Sequence, residues 1–206
     1  MRIRAYTLAV HVGHAPCWMR DPLENRELLT LANCKPLIRD AAPVGEWIAG
    51  VTPKRMGHRL AYLMQVDERL TRGEYWERFK ESRFDSIYRP NVNGGWKQLK
   101  NPWHMDEESF EHDLKSEWVL LSKEFFVFAN SYRDREMTPK GLQLPTEYSA
   151  LSRDGMRGAG HFIEVPESFL SWVRKQPPLT LMEFEVLRDF DAEGCGCCKE
   201  DSAQPL

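Results

Sequence analysis

The spacing of short apolar segments constrains the fold of this chain more than any other feature of its sequence. β-Branched, aromatic and aliphatic residues fall into runs of strand length separated by turns, and these runs are IRAYTLAVHV, GEWIAGV, RLAYLMQVDE and EWVLLSKEFFVFA. Runs of this kind, bounded by turn residues, are typical of strands. The pair Ser122-Lys123 predicts a break between two strands inside the last run.

Helix signals stand between these strand-like runs. Thr71 directly precedes the segment RGEYWERFK, and Glu74 stands three residues after Thr71. This spacing predicts a helix start with a capping box. Residues 106–114 predict a short acidic helix. Pro166 predicts the start of a last helix, whose apolar face is formed by Phe169, Leu170, Trp172 and Val173.

The connecting segments complete the order of elements. Residues 26–40 predict a short helix that ends near Cys34, because Pro36 disfavours helical backbone at the residue before it. Residues 13–25 are expected to form a loop, and residues 81–105, which lack periodicity, an ordered functional loop. The resulting order lacks the regular alternation of a doubly wound fold. We therefore predict an α+β domain with a small, curved, mixed or antiparallel β-sheet and short flanking helices.

Charge and composition exclude several classes of protein. The chain has 28 Lys and Arg against 31 Asp and Glu, a net charge of −3, which argues against a basic protein that coats duplex DNA. No segment approaches the ~18 apolar residues of a membrane helix, so we expect no membrane partner. The N-terminus lacks the long apolar block of a signal peptide. The odd number of cysteines, five, predicts no disulfide framework and a reducing, cytoplasmic compartment.

Residues 75–104 combine aromatic and basic side chains. This window holds seven aromatic residues, six Lys or Arg and three acids. A base stacked on an aromatic ring gains ~1–3 kcal/mol while nearby cations hold the phosphate, so the window predicts a site for a flipped or single-stranded nucleotide. Trp76 and Phe79 fit the core face of a helix instead. Trp96 and Trp103 lie beside Gly and Pro in the loop and fit either role.

The segment 33–39 and the histidines carry the candidate chemistry. Lys35 and Arg39 can reach an anion, and a nearby cation lowers the pKa of a thiol, which makes Cys34 a candidate nucleophile. The alternative is a buried, inert thiol beside two surface cations. The candidate acid–base groups are His11, His104 and His161, each of which also fits a surface or capping role.

Motifs for metals and cofactors are missing from the sequence. It contains no zinc-protease, P-loop, dinucleotide-binding or serine-elbow pattern, so we predict no cofactor and no catalytic zinc. Three cysteines near the C-terminus can bind a soft metal as thiolates; they are Cys195, Cys197 and Cys198. Their spacing does not make a regular tetrahedral site without other ligands, and we expect an unstructured tail.

The order of several short motifs resembles the nucleotide modification associated domain, type 2. These motifs are LANCKPLIRDAAPVGEWIAG, RLAYLMQVDERLTRGEYW, DSIYRP, GGW and WVLLSKEFFVFA, and the resemblance spans residues 2–175. The chain departs from the family pattern at Glu46, at Ser86 and at residues 128–130. The positions that match the motifs are Cys34, Lys35, Arg39, Trp47, Tyr62, Trp76, Asp85, Tyr88, Gly94, Gly95 and Trp96.

The resemblance implies a context and an organisation for the chain. The family is associated with bacterial and phage systems that modify nucleic-acid bases. A second similarity, at the level of fold, is to PUA-like barrels, which are partly open and hold a flipped base in an aromatic pocket. The implied organisation is a nucleotide modification associated domain over residues 1–176 and a C-terminal extension over residues 177–206. Trp47 and Tyr62 lie in predicted strands and are expected in the core.

Three functions remain open at this point. The first is the binding of a nucleotide or nucleic acid that carries a modified base, with the ligand held by Lys35, Arg39, Asp85, Tyr88, Gly94, Gly95 and Trp96. The second is an enzyme, a transferase or hydrolase that uses Cys and His groups on such a nucleotide. The third is an accessory protein that docks on a base-modification enzyme through its acidic segment 106–117 and the apolar and acidic segment LTLMEFEVLRDF.

Overall fold

A computed structural model describes residues 1–101, 104, 106–132, 137–152, 156 and 160–184. The strands are β1 (Arg2–Thr7), β2 (Cys17–Arg20), β3 (Glu27–Leu31), β4 (Trp47–Val51), β5 (Leu60–Gln65), β6 (Glu68–Thr71), β7 (Tyr88–Pro90), β8 (Trp96–Gln98), β9 (Trp118–Ser122), β10 (Phe125–Val127) and β11 (His161–Glu164). The helices are α1 (Pro36–Ala41), α2 (Arg72–Phe79), α3 (Glu107–Leu114) and α4 (Ser168–Val173). Two 3₁₀ turns span Lys54–Met56 and Thr146–Leu151.

The strands form three separate sheets. The largest has the order β10-β5-β4-β1-β11, in which β1 and β4 are parallel and the other neighbours antiparallel. The second has the order β2-β3-β9-β6 and is antiparallel throughout. The third is the hairpin β7–β8. The predicted α+β class with a mixed or antiparallel sheet and short helices is confirmed, and among the described residues no sheet closes into a barrel.

Alternation along the strands organises the molecule in four layers. Leu63 and Ala49 face α4 on one side of the five-stranded sheet, where Phe169 and Val173 complete an apolar cluster. Their neighbours Ile48 and Met64 face the four-stranded sheet, and meet a second cluster that contains Leu29, Leu31 and Leu120. On the far side of that sheet, α2 packs on the four-stranded sheet through Tyr75 and Phe79, against Leu28, Val119 and Leu121. Successive side chains of a strand point to opposite faces, so each of the two larger sheets packs on a different layer at each face.

Several sequence predictions are confirmed at the level of the element. The break at Ser122 separates β9 from β10, and α2 begins with the predicted capping box of Thr71 and Glu74. The acidic segment forms α3, with Asp106 as its N-cap. Trp47, Tyr62, Trp76 and Phe79 are all buried, as expected for core residues.

The predicted helix over residues 26–40 is wrong. Residues 27–31 form the central strand β3, and the helix begins only at Pro36, which occupies the first turn of α1. The segment ELLTL pairs with β2 on one side and with β9 on the other, so tertiary pairing outweighs its helix propensity. A further difference is β2, which lies inside the expected loop 13–25 and supplies one of these pairings.

The segment after α4 returns to the core. Leu179 donates its backbone N–H to Val127 O at 2.8 Å, and Phe184 is 8% exposed. The Phe184 ring lies 5.4 Å from the rings of both His11 and Trp18. The division of the chain at residue 176 stays a prediction. Among the residues that the structure describes, no helix has the length and apolar character needed to cross a bilayer.

Candidate functional site

A strained turn between β3 and α1 positions the thiol of Cys34. The strand ends at Leu31 and the helix begins at Pro36, so four residues make the connection. Cys34 and Lys35 both adopt left-handed backbone conformations, with φ of 55° and 44°. Non-glycine residues in this region are uncommon and cost free energy, and such conformations concentrate at functional sites. The turn holds the Cys34 side chain inside the protein, where it is 1% exposed.

The Cys34 thiol lies beside an imidazole and a carboxylate. His104 Nε2 is 3.3 Å from Cys34 Sγ, and His104 Nδ1 is 2.7 Å from Asp113 Oδ2. The side chains of His104 and Asp113 are fully buried. His104 Nδ1 lies within ion-pair distance of the Asp113 oxygen, although its N–H is not well aligned with that oxygen. Catalytic hydrogen bonds are often poorly aligned in the absence of substrate.

Two groups besides the imidazole hold the Asp113 carboxylate, which lies near the end of α3. Cys34 donates its backbone N–H to Oδ1 at 2.5 Å, and Tyr88 donates its hydroxyl to Oδ2 at 2.8 Å. Burial alone raises the pKa of this carboxyl, but the charge and hydrogen bond of His104 lower it, with help from His112 and Arg39. The net pKa of Asp113 lies well below its usual range, so the group is ionised at neutral pH.

Two buried arginines fix the turn to the end of α3. Arg39 donates Nε to Cys34 O at 2.8 Å, Nη2 to Asp113 O at 2.7 Å and Nη1 to Trp118 O at 2.6 Å. Arg72 donates Nη2 to the same Asp113 carbonyl at 2.9 Å. Burial, followed by the charge of Arg72, lowers the pKa of Arg39 to about 10. Arg39 is predicted to bind phosphate, but in the structure its donors bind backbone carbonyls.

A second histidine lies against the first. The His14 ring centroid is 4.7 Å from that of His104, and its side chain is buried. Asn33 Oδ1 accepts from Arg72, so Asn33 Nδ2 is the donor to His14 Nε2, at 3.0 Å, and the His14 proton resides on Nδ1. That Nδ1 has no hydrogen-bond partner among the described residues. Burial, followed by the His104 charge, lowers the pKa of His14 well below its usual value.

The predicted ligand residue Asp85 supports the site through the residue before Cys34, Asn33. Its side chain is buried, accepting from the Tyr75 hydroxyl at 2.7 Å, from Arg83 Nε at 3.3 Å and from the Thr30 hydroxyl. Its backbone carbonyl accepts from Asn33 at 2.9 Å. Asp85 thus joins β3 to α2 through internal bonds.

The other predicted ligand residues divide between the interior and the surface. Lys35 is 6% exposed, and its ammonium nitrogen lies 5.7 Å from the centre of the Tyr6 ring. Gly94 and Gly95 are exposed at the tip of the β7–β8 hairpin, and Trp96, at the start of β8, is half-buried. Tyr88 contacts the triad of Cys34, His104 and Asp113 through its hydrogen bond to Asp113.

The structure separates the candidate acid–base groups. Cys34 and His104 come together, although 70 residues separate them in sequence. His11 is buried against the Phe184 and Tyr132 rings, and His161 is exposed on β11. The three C-terminal candidates for a metal, Cys195, Cys197 and Cys198, lie outside the described residues. Sequence reasoning missed Asp113, whose only signal is its place in the acidic helix α3.

The same three side chains are also close enough together to bind a metal ion. One ligand atom from each of Cys34, His104 and Asp113 lies within 4.8 Å of the others. However, the imidazole presents Nε2 to the sulfur and Nδ1, on the opposite edge of the ring, to the carboxylate. A single ion bonded to the sulfur and the carboxylate uses only one ring nitrogen, and both Asp113 oxygens already accept hydrogen bonds. The arrangement fits a nucleophile, a base and an orienting carboxylate better than a metal centre.

Comparison with known proteins assigns the chain to a family. The model of a family described as nucleotide modification associated domain 2 matches residues 1–154. This range contains the whole of the Cys34, His104 and Asp113 cluster and the β7–β8 hairpin. No curated protein and no solved structure matches the chain significantly.

Proposed function

The chain belongs to the nucleotide modification associated domain 2 family, and on that premise we propose that it is a cysteine-dependent enzyme of a nucleotide modification system. Cys34 is the nucleophile, His104 the general base and Asp113 the group that orients the imidazole. The substrate is a nucleotide that carries, or receives, an acyl group. The reaction is hydrolysis or transfer of that acyl group.

The order of contacts Cys34 Sγ, His104 Nε2, His104 Nδ1 and Asp113 Oδ2 carries this proposal. A base within hydrogen-bond reach of a nucleophile, and itself oriented by a third group, is the arrangement that activates weak nucleophiles. The sulfur lies 3.3 Å from the base, and the carboxylate lies 2.7 Å from the other ring nitrogen. A carboxylate kept ionised there favours the imidazolium that forms when the thiol loses its proton.

The proposed chemistry has two steps. In the first, the Cys34 proton moves to His104 Nε2 and Sγ bonds to the acyl carbon, while the bond from that carbon to its nitrogen or oxygen leaving group breaks. The leaving group takes the proton from Nε2. In the second, water or an amine attacks the thioester and gives a proton to Nε2. The carbon–sulfur bond then breaks, and Cys34 recovers its proton from the imidazolium.

The geometry supports an enzyme over a simple binding module. Of the residues predicted to hold a nucleotide, Arg39 and Asp85 are committed to internal hydrogen bonds. The left-handed conformations of Cys34 and Lys35, by contrast, are of the kind that concentrates at functional sites. Because Cys34 is buried, the substrate must open a path to its sulfur.

The first test compares Cys34 with Cys17, which is an equally buried free thiol. Iodoacetamide is added over a range of pH, and the alkylation of each cysteine is followed by peptide mass spectrometry. We expect Cys34 to react at least about 10-fold faster than Cys17, because only Cys34 has an imidazole beside its sulfur. His104→Ala removes this advantage. Equal rates at the two cysteines contradict the proposal.

The second test measures turnover. Nucleotides with amide- or ester-linked groups on the base are incubated with the protein and analysed by mass spectrometry. We expect Cys34→Ser and His104→Ala to lower turnover by at least about 1,000-fold. Cys17→Ser is the matched control and retains turnover. Undiminished turnover by Cys34→Ser rules out Cys34 as the nucleophile.

A further inference from the structure

We propose that the β7–β8 hairpin is the docking arm for a single-stranded segment of nucleic acid, with one base stacked on Trp96. This inference rests on the proposed function for the chemistry at Cys34, and it specifies that the substrate is a polynucleotide.

The hairpin is bonded to the triad at its base. Tyr88, the first residue of β7, donates its hydroxyl to Asp113 Oδ2 at 2.8 Å. Gln98, the last residue of β8, donates its side-chain amide to the backbone carbonyl of His104. Tyr88 and Gln98 are cross-strand partners in the hairpin. The base of the hairpin, where Tyr88 and Gln98 face each other, is therefore bonded directly to Asp113 and His104.

Trp96 lies on the same face of the hairpin as these two residues. Cross-strand partners share a face, and side chains two positions apart along a strand point the same way. The pairs Tyr88–Gln98 and Pro90–Trp96 therefore form one face, and the pair Arg89–Lys97 forms the other. At ~3.4 Å per residue, Trp96 stands about 7 Å further along the ribbon than Gln98. A base stacked on its indole therefore lies on the face of the ribbon that reaches Asp113 through Tyr88.

The tip of the hairpin projects from the protein. Asn91 and Gly95 close the turn with a backbone hydrogen bond of 3.0 Å. A Cβ atom built on Gly94 or Gly95 meets no described atom within 4 Å, and Val92 is 97% exposed. Because the ribbon projects, side chains on both of its faces are open to contact with an extended ligand.

The charge of the hairpin complements a chain of phosphates. Residues 86–101 contain Arg89, Lys97 and Lys100 and no acidic residue, although the whole chain has a net charge of −3. Lys97 and Lys100 are exposed and Arg89 is half-buried. Lys97 and Lys100 are three residues apart, about 10 Å of extended chain. At this spacing the two ammonium groups can pair with different phosphates of a single strand, while an aromatic ring accepts one of its bases.

The test is binding without turnover. The Cys34→Ser protein is titrated with a fluorescein-labelled mixed-sequence DNA 12-mer, followed by anisotropy at several salt concentrations, with a mononucleotide and a duplex as competitors. We expect the single strand to compete better than either. Adding Trp96→Ala weakens binding by about 5- to 150-fold. Adding Lys97→Ala reduces the steepness of the fall of the logarithm of the association constant with the logarithm of the salt concentration by about 0.7.

Two matched controls come from elsewhere on the surface. Phe162→Ala removes an exposed aromatic ring from β11, and Lys175→Ala removes an exposed cation after α4. Neither is expected to change binding. Unchanged affinity in Trp96→Ala, or a mononucleotide that competes as well as the 12-mer, overturns the inference. If the 12-mer binds as expected while Cys34 shows no special reactivity, the proposed function fails and the docking arm stands.

Discussion

At the scale of the residue, burial changes the behaviour of His11, which has no part in the triad. Its side chain is 1% exposed, and neither ring nitrogen has a hydrogen-bond partner among the described residues. Burial lowers the pKa of His11 from 6.5 to about 4. The neutral ring packs against Tyr132 and Phe184, and a charged ring has no compensating contact there.

This burial predicts a loss of stability in acid. Between pH 6.5 and 4 the unfolded chain binds a proton at His11 and the native protein does not, so the free energy of unfolding falls as the pH falls through this window. The share of His11 is about 3 kcal/mol over the window. Urea unfolding of wild type and His11→Phe at pH 7, 5.5 and 4 measures it, because the variant lacks this share.

The matched control for His11 is His161→Phe on β11. The His161 side chain is exposed, so its solvation changes little on unfolding. We expect this variant to lose stability between pH 7 and 4 as steeply as wild type. If His11→Phe does the same, the His11 ring is not held neutral in the native protein.

At the scale of the element, α2 shows how a local signal supports the site. Thr71 accepts at its hydroxyl from the Glu74 backbone, and the Glu74 carboxylate accepts from the Thr71 backbone at 2.7 Å. This capping box determines where the helix begins. The first residue of the helix is Arg72, which holds the end of α3 through Asp113 O. The cap therefore positions a guanidinium as well as a helix.

Removal of this cap is expected to destabilise the protein moderately. Thr71→Ala leaves helix donors without their acceptor and lowers the free energy of unfolding by about 1 kcal/mol. Thr71→Ser keeps the hydroxyl and is expected to remain within about 0.5 kcal/mol of wild type. Urea denaturation of the three proteins measures the difference. An equal loss in both variants assigns the effect to the methyl group of Thr71 and contradicts the capping role.

At the scale of the whole molecule, the N-terminal and C-terminal parts of the described chain close one core. Phe184 packs on Trp18 and His11, while Leu179 bonds to β10 through Val127. The cluster that they join lies between the two larger sheets. Residues 179–184 consequently contribute to the core of the domain, although they follow the range that matches the family.

This closure predicts that Phe184 stabilises the entire fold. Phe184→Ala removes a buried aromatic ring and is expected to lower the free energy of unfolding by about 3 kcal/mol. Met182→Ala, two residues away and 97% exposed, is the matched control and is expected to be neutral. Thermal or urea unfolding separates the two. A neutral Phe184→Ala indicates that residues after 176 lie outside the cooperative unit, as the predicted division of the chain implies.

Local signals in the sequence determined much of the architecture. The capping box at Thr71, the acidic helix over residues 106–114 and the break at Ser122 each depend on a few neighbouring residues, so they can be recognised without knowledge of distant partners. The short strand-like runs likewise establish the α+β class. Cys34 and His104 were recognisable as candidates because their side chains can do chemistry in any fold.

Tertiary structure alone decided which of these residues meet. Residues 27–31 have no periodicity that separates strand from helix, and pairing with β2 and β9 settles the outcome. The triad joins three distant positions, and no local pattern marks Asp113 as the partner of His104. Arg39 and Asp85 look like ligand residues by type, but burial directs their hydrogen bonds inward. Contacts between distant segments depend on packing, which one sequence does not encode in any short motif.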